Sequence, residues 1–123
     1  MAAQFDISVI AELTGLGEDI NFIKKGTDET TPTAGAYMYR TIATANTAEA
    51  LDLGDVSTVT AIVLYAVDYD VDIDCDYSAA FDADLTAKAG SFPAIIPYPA
   101  GTVYVQGETD QTPAYEYLVI GTT

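Results

Sequence analysis

The stretch Val59-Thr60-Ala61-Ile62-Val63-Leu64-Tyr65-Ala66-Val67-Asp68-Tyr69-Asp70-Val71-Asp72-Ile73-Asp74-Cys75-Asp76-Tyr77 decides the fold. Every odd position in it is apolar or aromatic. In an extended chain, side chains two apart share a face, so this period of two marks β-structure. One uninterrupted strand of this length would reach about 60 Å at ~3.3 Å per residue, whereas ordinary strands run to roughly 17–20 Å. A turn must therefore interrupt it. The even positions Ile62, Leu64 and Ala66 are apolar too, so the first half is expected to be buried on both faces. From Asp68 to Asp76 every even position is aspartate. The change falls at Asp68–Asp70 and predicts a tight turn there between two strands.

Period two continues on either side. Phe5, Ile7, Val9, Ala11 and Leu13 alternate with Gln4, Asp6, Ser8 and Glu12, and only Ile10 breaks the pattern. This first strand stops at Thr14-Gly15-Leu16-Gly17, and a shorter run, Ile20–Ile23, leads into Lys24-Lys25-Gly26. Thr27–Gly35, rich in Thr, Asp, Pro and Gly, predicts an exposed loop. Ala36–Ala45 carries Tyr37, Tyr39 and Ile42 among threonines and predicts a strand. Between Thr47 and Gly54 two readings compete. Asn46 and Glu49 have the spacing of a helix cap, whereas Leu51 and Leu53 alternate as in a strand edge, and the extended form is preferred. Phe81–Ala87 alternates again and closes at Gly90-Ser91. Phe92–Gly101, with Pro93, Pro97 and Pro99, is expected to be irregular or an edge. Thr102–Gln106, the loop Gly107–Pro113 and the strand Ala114–Ile120 complete the chain. Seven to nine short strands without a helical stripe predict an all-β fold. The expected form is an antiparallel β-sandwich or jelly-roll-like barrel filling one domain over residues 1–123.

Charge narrows the function classes. The 123 residues hold 19 Asp and Glu against 4 Lys and Arg, a net charge of -15 with no histidine. Such a surface repels phosphate, which argues against nucleic acid and against anionic membranes as partners. Without histidine no ordinary serine or cysteine triad can form, so a non-enzymatic protein without cofactors is expected. Cys75 is alone, which rules out an internal disulfide. No basic and apolar leader opens the chain, and no apolar run approaches the ~20 residues that span a bilayer, so synthesis in a cytoplasm is expected.

Two groups of side chains are candidates for binding. Asp68, Asp70, Asp72, Asp74 and Asp76 would line one strand face, with Asp82 and Asp84 beside them, and oxygen-rich rows suit calcium. The calcium-loop pattern is absent, since Ile73 and Ala79 stand where it needs Gly and Glu. A solvated face or a guarded sheet edge is the preferred reading. The nine tyrosines form the second group. Tyr65, Tyr69, Tyr77, Tyr115 and Tyr117 are expected in the core or at its rim, whereas Tyr37, Tyr39, Tyr98 and Tyr104 are expected to be partly exposed. With Phe5 and Ile7, these last four are the candidate partner contacts. The segments Ala2–Leu13 and Thr27–Gly35 are also candidates, because termini and loops commonly reach partners.

Three segments carry a family resemblance: the buried strand Ala61–Val67 running into Asp68, the stretch Phe92-Pro93-Ala94-Ile95-Ile96-Pro97, and the strand Thr102–Gln106 followed by the closing Tyr115–Gly121. Over about half its length the chain resembles small β-sandwich virion structural proteins of tailed bacteriophages, which decorate or cement capsids or serve as head and tail accessories. The resemblance implies a homo-oligomer, with a trimer favoured at three-fold sites, bound to a major capsid protein or other virion proteins. The strong negative charge favours the outer surface of the head, or the tail, over the genome-facing side. Three alternatives stay open: a tail, fibre or head-completion component, a carbohydrate-binding or adhesin-like sandwich, and a calcium-dependent module.

Overall fold

The computed structural model describes residues 3–28 and 30–123. Among these are ten strands, somewhat more than expected, and no helix. None of the described residues therefore forms a helix long and apolar enough to cross a membrane. The chain divides into two compact units, residues 1–33 and Ala34–Thr123. The single sandwich expected over residues 1–123 is thus confined to the second unit.

The first unit is an antiparallel hairpin of β1 (Asp6–Leu13) and β2 (Ile20–Thr27), in register from Asp6 opposite Thr27 to Leu13 opposite Ile20. Gly15 and Gly17 in the connection adopt φ of 88° and 112°, a region that side chains with a Cβ rarely enter. The alternation expected for β1 is present, but it does not lead to burial. Phe5, Ile7 and Val9 are half-buried, whereas Ala11, Leu13, Ile20 and Phe22 are exposed. The reason is geometric: a hairpin is one layer, and its apolar side has no second layer of its own.

The second unit is a sandwich of two antiparallel four-stranded sheets. Its strands are β3 (Ala34–Thr41), β4 (Glu49–Ala50), β5 (Thr58–Ala66), β6 (Val71–Tyr77), β7 (Leu85–Ala87), β8 (Ala94–Pro97), β9 (Thr102–Gly107) and β10 (Ala114–Thr122). One sheet has the order β3-β10-β5-β8 and the other β4-β9-β6-β7. The predicted turn lies between β5 and β6, at Val67–Asp70. It carries the chain from one sheet to the other, which is why the apolar set switches from even positions (Ile62, Leu64, Ala66) to odd ones (Val71, Ile73). Those side chains meet Tyr115, Tyr117, Val119, Val103 and Val105 in one core. The Tyr117 hydroxyl donates to the Asp52 carbonyl at 2.7 Å, so its one polar atom is satisfied inside that core. Burial pushes the Tyr115 phenol up to about 12 and keeps it neutral.

The preferred extended reading of residues 47–54 holds: they contain β4 and no helix, because the two residues of the alternative cap reading are engaged elsewhere. Glu49 accepts from the Ala43 amide at 2.9 Å, and Asn46, at φ 61°, exchanges two hydrogen bonds with Asp110. The predicted strand Phe81–Ala87 shrinks to Leu85–Ala87, since Asp82 and Asp84 are drawn back onto β6. Tyr69, expected in the core or at its rim, sits in the exposed turn.

Leu64→Ala should lower the unfolding free energy by about 2–5 kcal/mol in urea denaturation, as for other fully buried leucines. Gly121→Ala should be at least as damaging despite the smaller change. A Cβ there overlaps the Thr58 carbonyl oxygen and comes within 2.8 Å of Val56 Cγ1, at the bulge between β10 and β5.

Candidate functional site

Two features of the sandwich stand out chemically: the outer face of the β3-β10-β5-β8 sheet and the cluster of carboxylates around β6.

Register defines the first. Antiparallel partners share a face, so Tyr37, Leu118, Val63 and Ile95 form one row across all four strands. Tyr39, Glu116 and Tyr65 form the next, and Gly35, Ile120, Ala61 and Pro97 the row on the other side. Tyr37 and Tyr39 are 64% and 58% exposed and Ile95 is 40% exposed, values that mark large apolar groups facing solvent. Glu116 is the only charged residue in these three rows. It accepts a hydrogen bond from the Tyr37 hydroxyl at 2.9 Å, and this bond raises the Tyr37 phenol above its ordinary value. The face is broad, aromatic and nearly free of charge on a chain of net charge -15.

The acidic residues behave differently from a wet ladder. Asp68 and Asp70 lie in the turn, and each binds a main-chain amide: Asp68 accepts from Ala114 N at 2.8 Å, Asp70 from Ala89 N at 2.8 Å and from Lys88 Nζ at 3.1 Å. Asp72 accepts from the Thr86 hydroxyl at 2.7 Å. Asp74 is 2% exposed, and its two oxygens accept from Asp76 N and Asp82 N. Asp84 accepts from Cys75 N at 2.8 Å. The solvated row expected from the alternation is thus largely a set of acceptors for main-chain amides, and only Asp76 projects as an exposed member of β6.

Asp74, Asp76 and Asp84 bring one carboxylate oxygen each within 4.8 Å of one another, the only such group among the described residues. Three oxygens are fewer than the six to eight a calcium ion takes, and those of Asp74 are already engaged by amides. Their mutual repulsion shows on Asp76, whose carboxyl is held above the usual range by its contact with Asp74 and by the charge of Asp84. Asp74 is held below that range, chiefly by the Asp82 amide, and Asp70 likewise by the Ala89 amide. Cys75 is half-buried, and burial together with these carboxylates pushes its thiol up, away from the reactive thiolate. An open cleft of about 570 Å³ beside the cluster is lined mainly by polar groups, including Asp72, Asp82, Gln106 and Glu108.

The expected contact residues fall in separate places. Tyr37 and Tyr39 share the sheet face just described. Tyr98 follows β8 at φ 45° and is 68% exposed, with its amide donating to the Thr60 carbonyl at 2.7 Å. Tyr104 is on the other sheet, half-buried, its ring stacked on Tyr77 with centroids 3.7 Å apart. Phe5 and Ile7 belong to the hairpin unit. Within the expected contact segments, Ala2 and Glu29 lie outside the described residues. Leu118, Val63, Ile95 and Glu116 are not among the expected contacts. The burial expected on both faces of the Val59–Ala66 stretch holds fully only for its inward side. Val63 and Tyr65 are half-buried on the outer face, because no further layer covers that side of the sheet within the sandwich.

The opposed shifts of Asp74 and Asp76 have a pH signature. A carboxylate held low contributes stability above its unfolded value of ~3.9 and loses it as pH falls through its folded value. One held high does the reverse, so its repulsion acts at neutral pH and fades as pH falls toward ~3.9. Asp74→Asn should lower the urea midpoint at pH 7. Asp76→Asn should raise it, with the gain shrinking as the titration approaches pH 4. Comparison with known proteins adds no relative: no family model, curated protein or solved structure matches the chain.

Proposed function

We propose that the chain is a structural subunit of an assembled particle and associates with neighbouring protein subunits through the outer face of the β3-β10-β5-β8 sheet. The observation that carries this reading is that face itself. Tyr37, Tyr39 and Ile95 stand exposed around half-buried Leu118, Val63 and Tyr65, and a single carboxylate lies among them. Aromatic enrichment with depletion of charge is the compositional mark of the centre of a protein–protein interface. The remaining surface holds the acids that keep such a subunit soluble before assembly.

The setting we propose is a virion, with the protein as a capsid decoration or cement protein on the outside of the head, bound to a major capsid protein as a homo-oligomer. The resemblance of the three sequence segments supports this setting, and an acidic exterior suits a position away from packaged genome. The action would be passive: apolar and tyrosine surface buried across neighbouring subunits resists separation of the lattice.

Quantitative mass spectrometry of purified particles should find hundreds of copies. A handful would assign the chain to the tail or a vertex instead, and absence from the particle would overturn the virion setting. Tyr39→Asp, which places a second negative charge on the face beside Glu116, should reduce particle binding about tenfold or more while leaving the melting temperature near wild type. Unchanged binding would exclude this face as the contact.

A further inference from the structure

The hairpin carries a second face that is apolar and almost uncharged, and its single charge is of opposite sign. Ile7, Val9, Ala11 and Leu13 of β1 share a side with Gly26, Lys24, Phe22 and Ile20 of β2. Phe22 is 52% exposed, Ile20 58% and Leu13 44%. Lys24 is the only charged residue on this side, its ammonium 5.9 Å from the centre of the Phe22 ring. The reverse side of the hairpin holds Asp6, Glu12 and Lys25 around exposed Ile10 and Ile23, and Lys25 pairs with Asp6 at 3.8 Å, so only the first side is apolar with a single charge. Lys24 forms no ion pair among the described residues.

We propose that the apolar side of the hairpin of one copy seats on the outer face of the β3-β10-β5-β8 sheet of a second copy, with Lys24 placed against Glu116. The proposal rests on the reading of that sheet face as an association surface and names its occupant. Two arguments select a second copy. The first is charge complementarity: each face is apolar with one charge, positive on the hairpin and negative on the sheet. Such a pair fixes the register of two otherwise greasy surfaces. The second is self-repulsion. Two copies of net charge -15 repel over most of their surfaces, so contact is least costly where acids are scarce, and both faces meet that condition.

The dimensions agree. Eight-residue strands extend to about 27 Å, comparable to the nine-residue strands β5 and β10, and a two-stranded ribbon fits within the width of four strands. A two-stranded hairpin is marginal in isolation, so it gains from being laid on a second layer. The contact is heterologous, hairpin to sheet. Copies joined this way close into a ring when the rotation permits, a trimer being one such ring, and otherwise grow as filaments.

Charge reversal tests this with the full-length chain. Sedimentation velocity over a concentration series would compare wild type with Lys24→Glu, Glu116→Lys and the double reversal. Both side chains lie on outer faces, and melting temperatures check that each variant is folded. Each single reversal should weaken self-association by about tenfold or more, and the double reversal should restore it to within about threefold of wild type. Self-association indifferent to the single reversals, a double variant as weak as the singles, or a wild type that stays monomeric throughout would each overturn the proposal. Tyr39→Asp separates this failure from that of the parent reading. Particle binding lost in Tyr39→Asp, with self-association insensitive to the reversals, overturns the exchange of hairpins and leaves the sheet face as the association surface. Insensitivity in both assays overturns both.

Discussion

The sandwich depends on β10, a central strand of its sheet with chemically distinct sides. It pairs with β3 along one edge and β5 along the other, although these strands are far apart in the chain. Its inward side chains, Tyr115, Tyr117 and Val119, are at most 1% exposed and fill the space between the sheets. Its outward ones, Glu116, Leu118 and Ile120, form the spine of the aromatic surface. A one-residue slip in this pairing would put Glu116 in the core and the two tyrosines in water. The core and the outer surface are therefore set by one register.

The second constraint is the placing of negative charge. A chain with 19 acids and 4 bases would be expected to keep its carboxylates in water. Here many of them fold back as acceptors for main-chain amides: Asp68, Asp70, Asp74 and Asp84 each hold a turn or loop against the sheet. Charge-assisted bonds of this kind are stronger than neutral ones, and they satisfy amides that loops cannot pair in ladders. The cost is local repulsion, concentrated on Asp76. Within the described residues of the sandwich, acidity thus serves the connections of the β4-β9-β6-β7 sheet, while the outer face of the other sheet is almost bare of it.

This asymmetry organises the functional reading. A protein can present a broad apolar face and remain soluble if charge is dense elsewhere. The hairpin repeats the arrangement in part, with the acids and a paired lysine around Ile10 and Ile23 on one side and Phe22, Ile20 and Leu13 with a single charge on the other. Apolar area of this kind is stabilising only when covered, and it is covered most readily by a surface of the same character.

Period two alone determined that the chain is all-β, and the change at Asp68–Asp70 located a turn between two strands, because face alternation is a local property of an extended chain. That this turn passes from one sheet to the other is tertiary. Period two could not show that the alternation of β1 ends in exposed side chains, since burial requires a second layer that local pattern does not contain. Nor could it tell a wet aspartate from Asp74, whose burial depends on amides arriving from residues 76 and 82. The aromatic face is wholly tertiary. Tyr37, Leu118, Val63 and Ile95 become one row only because β10 inserts between β3 and β5, and long-range strand pairing is decided by the packing of the whole core.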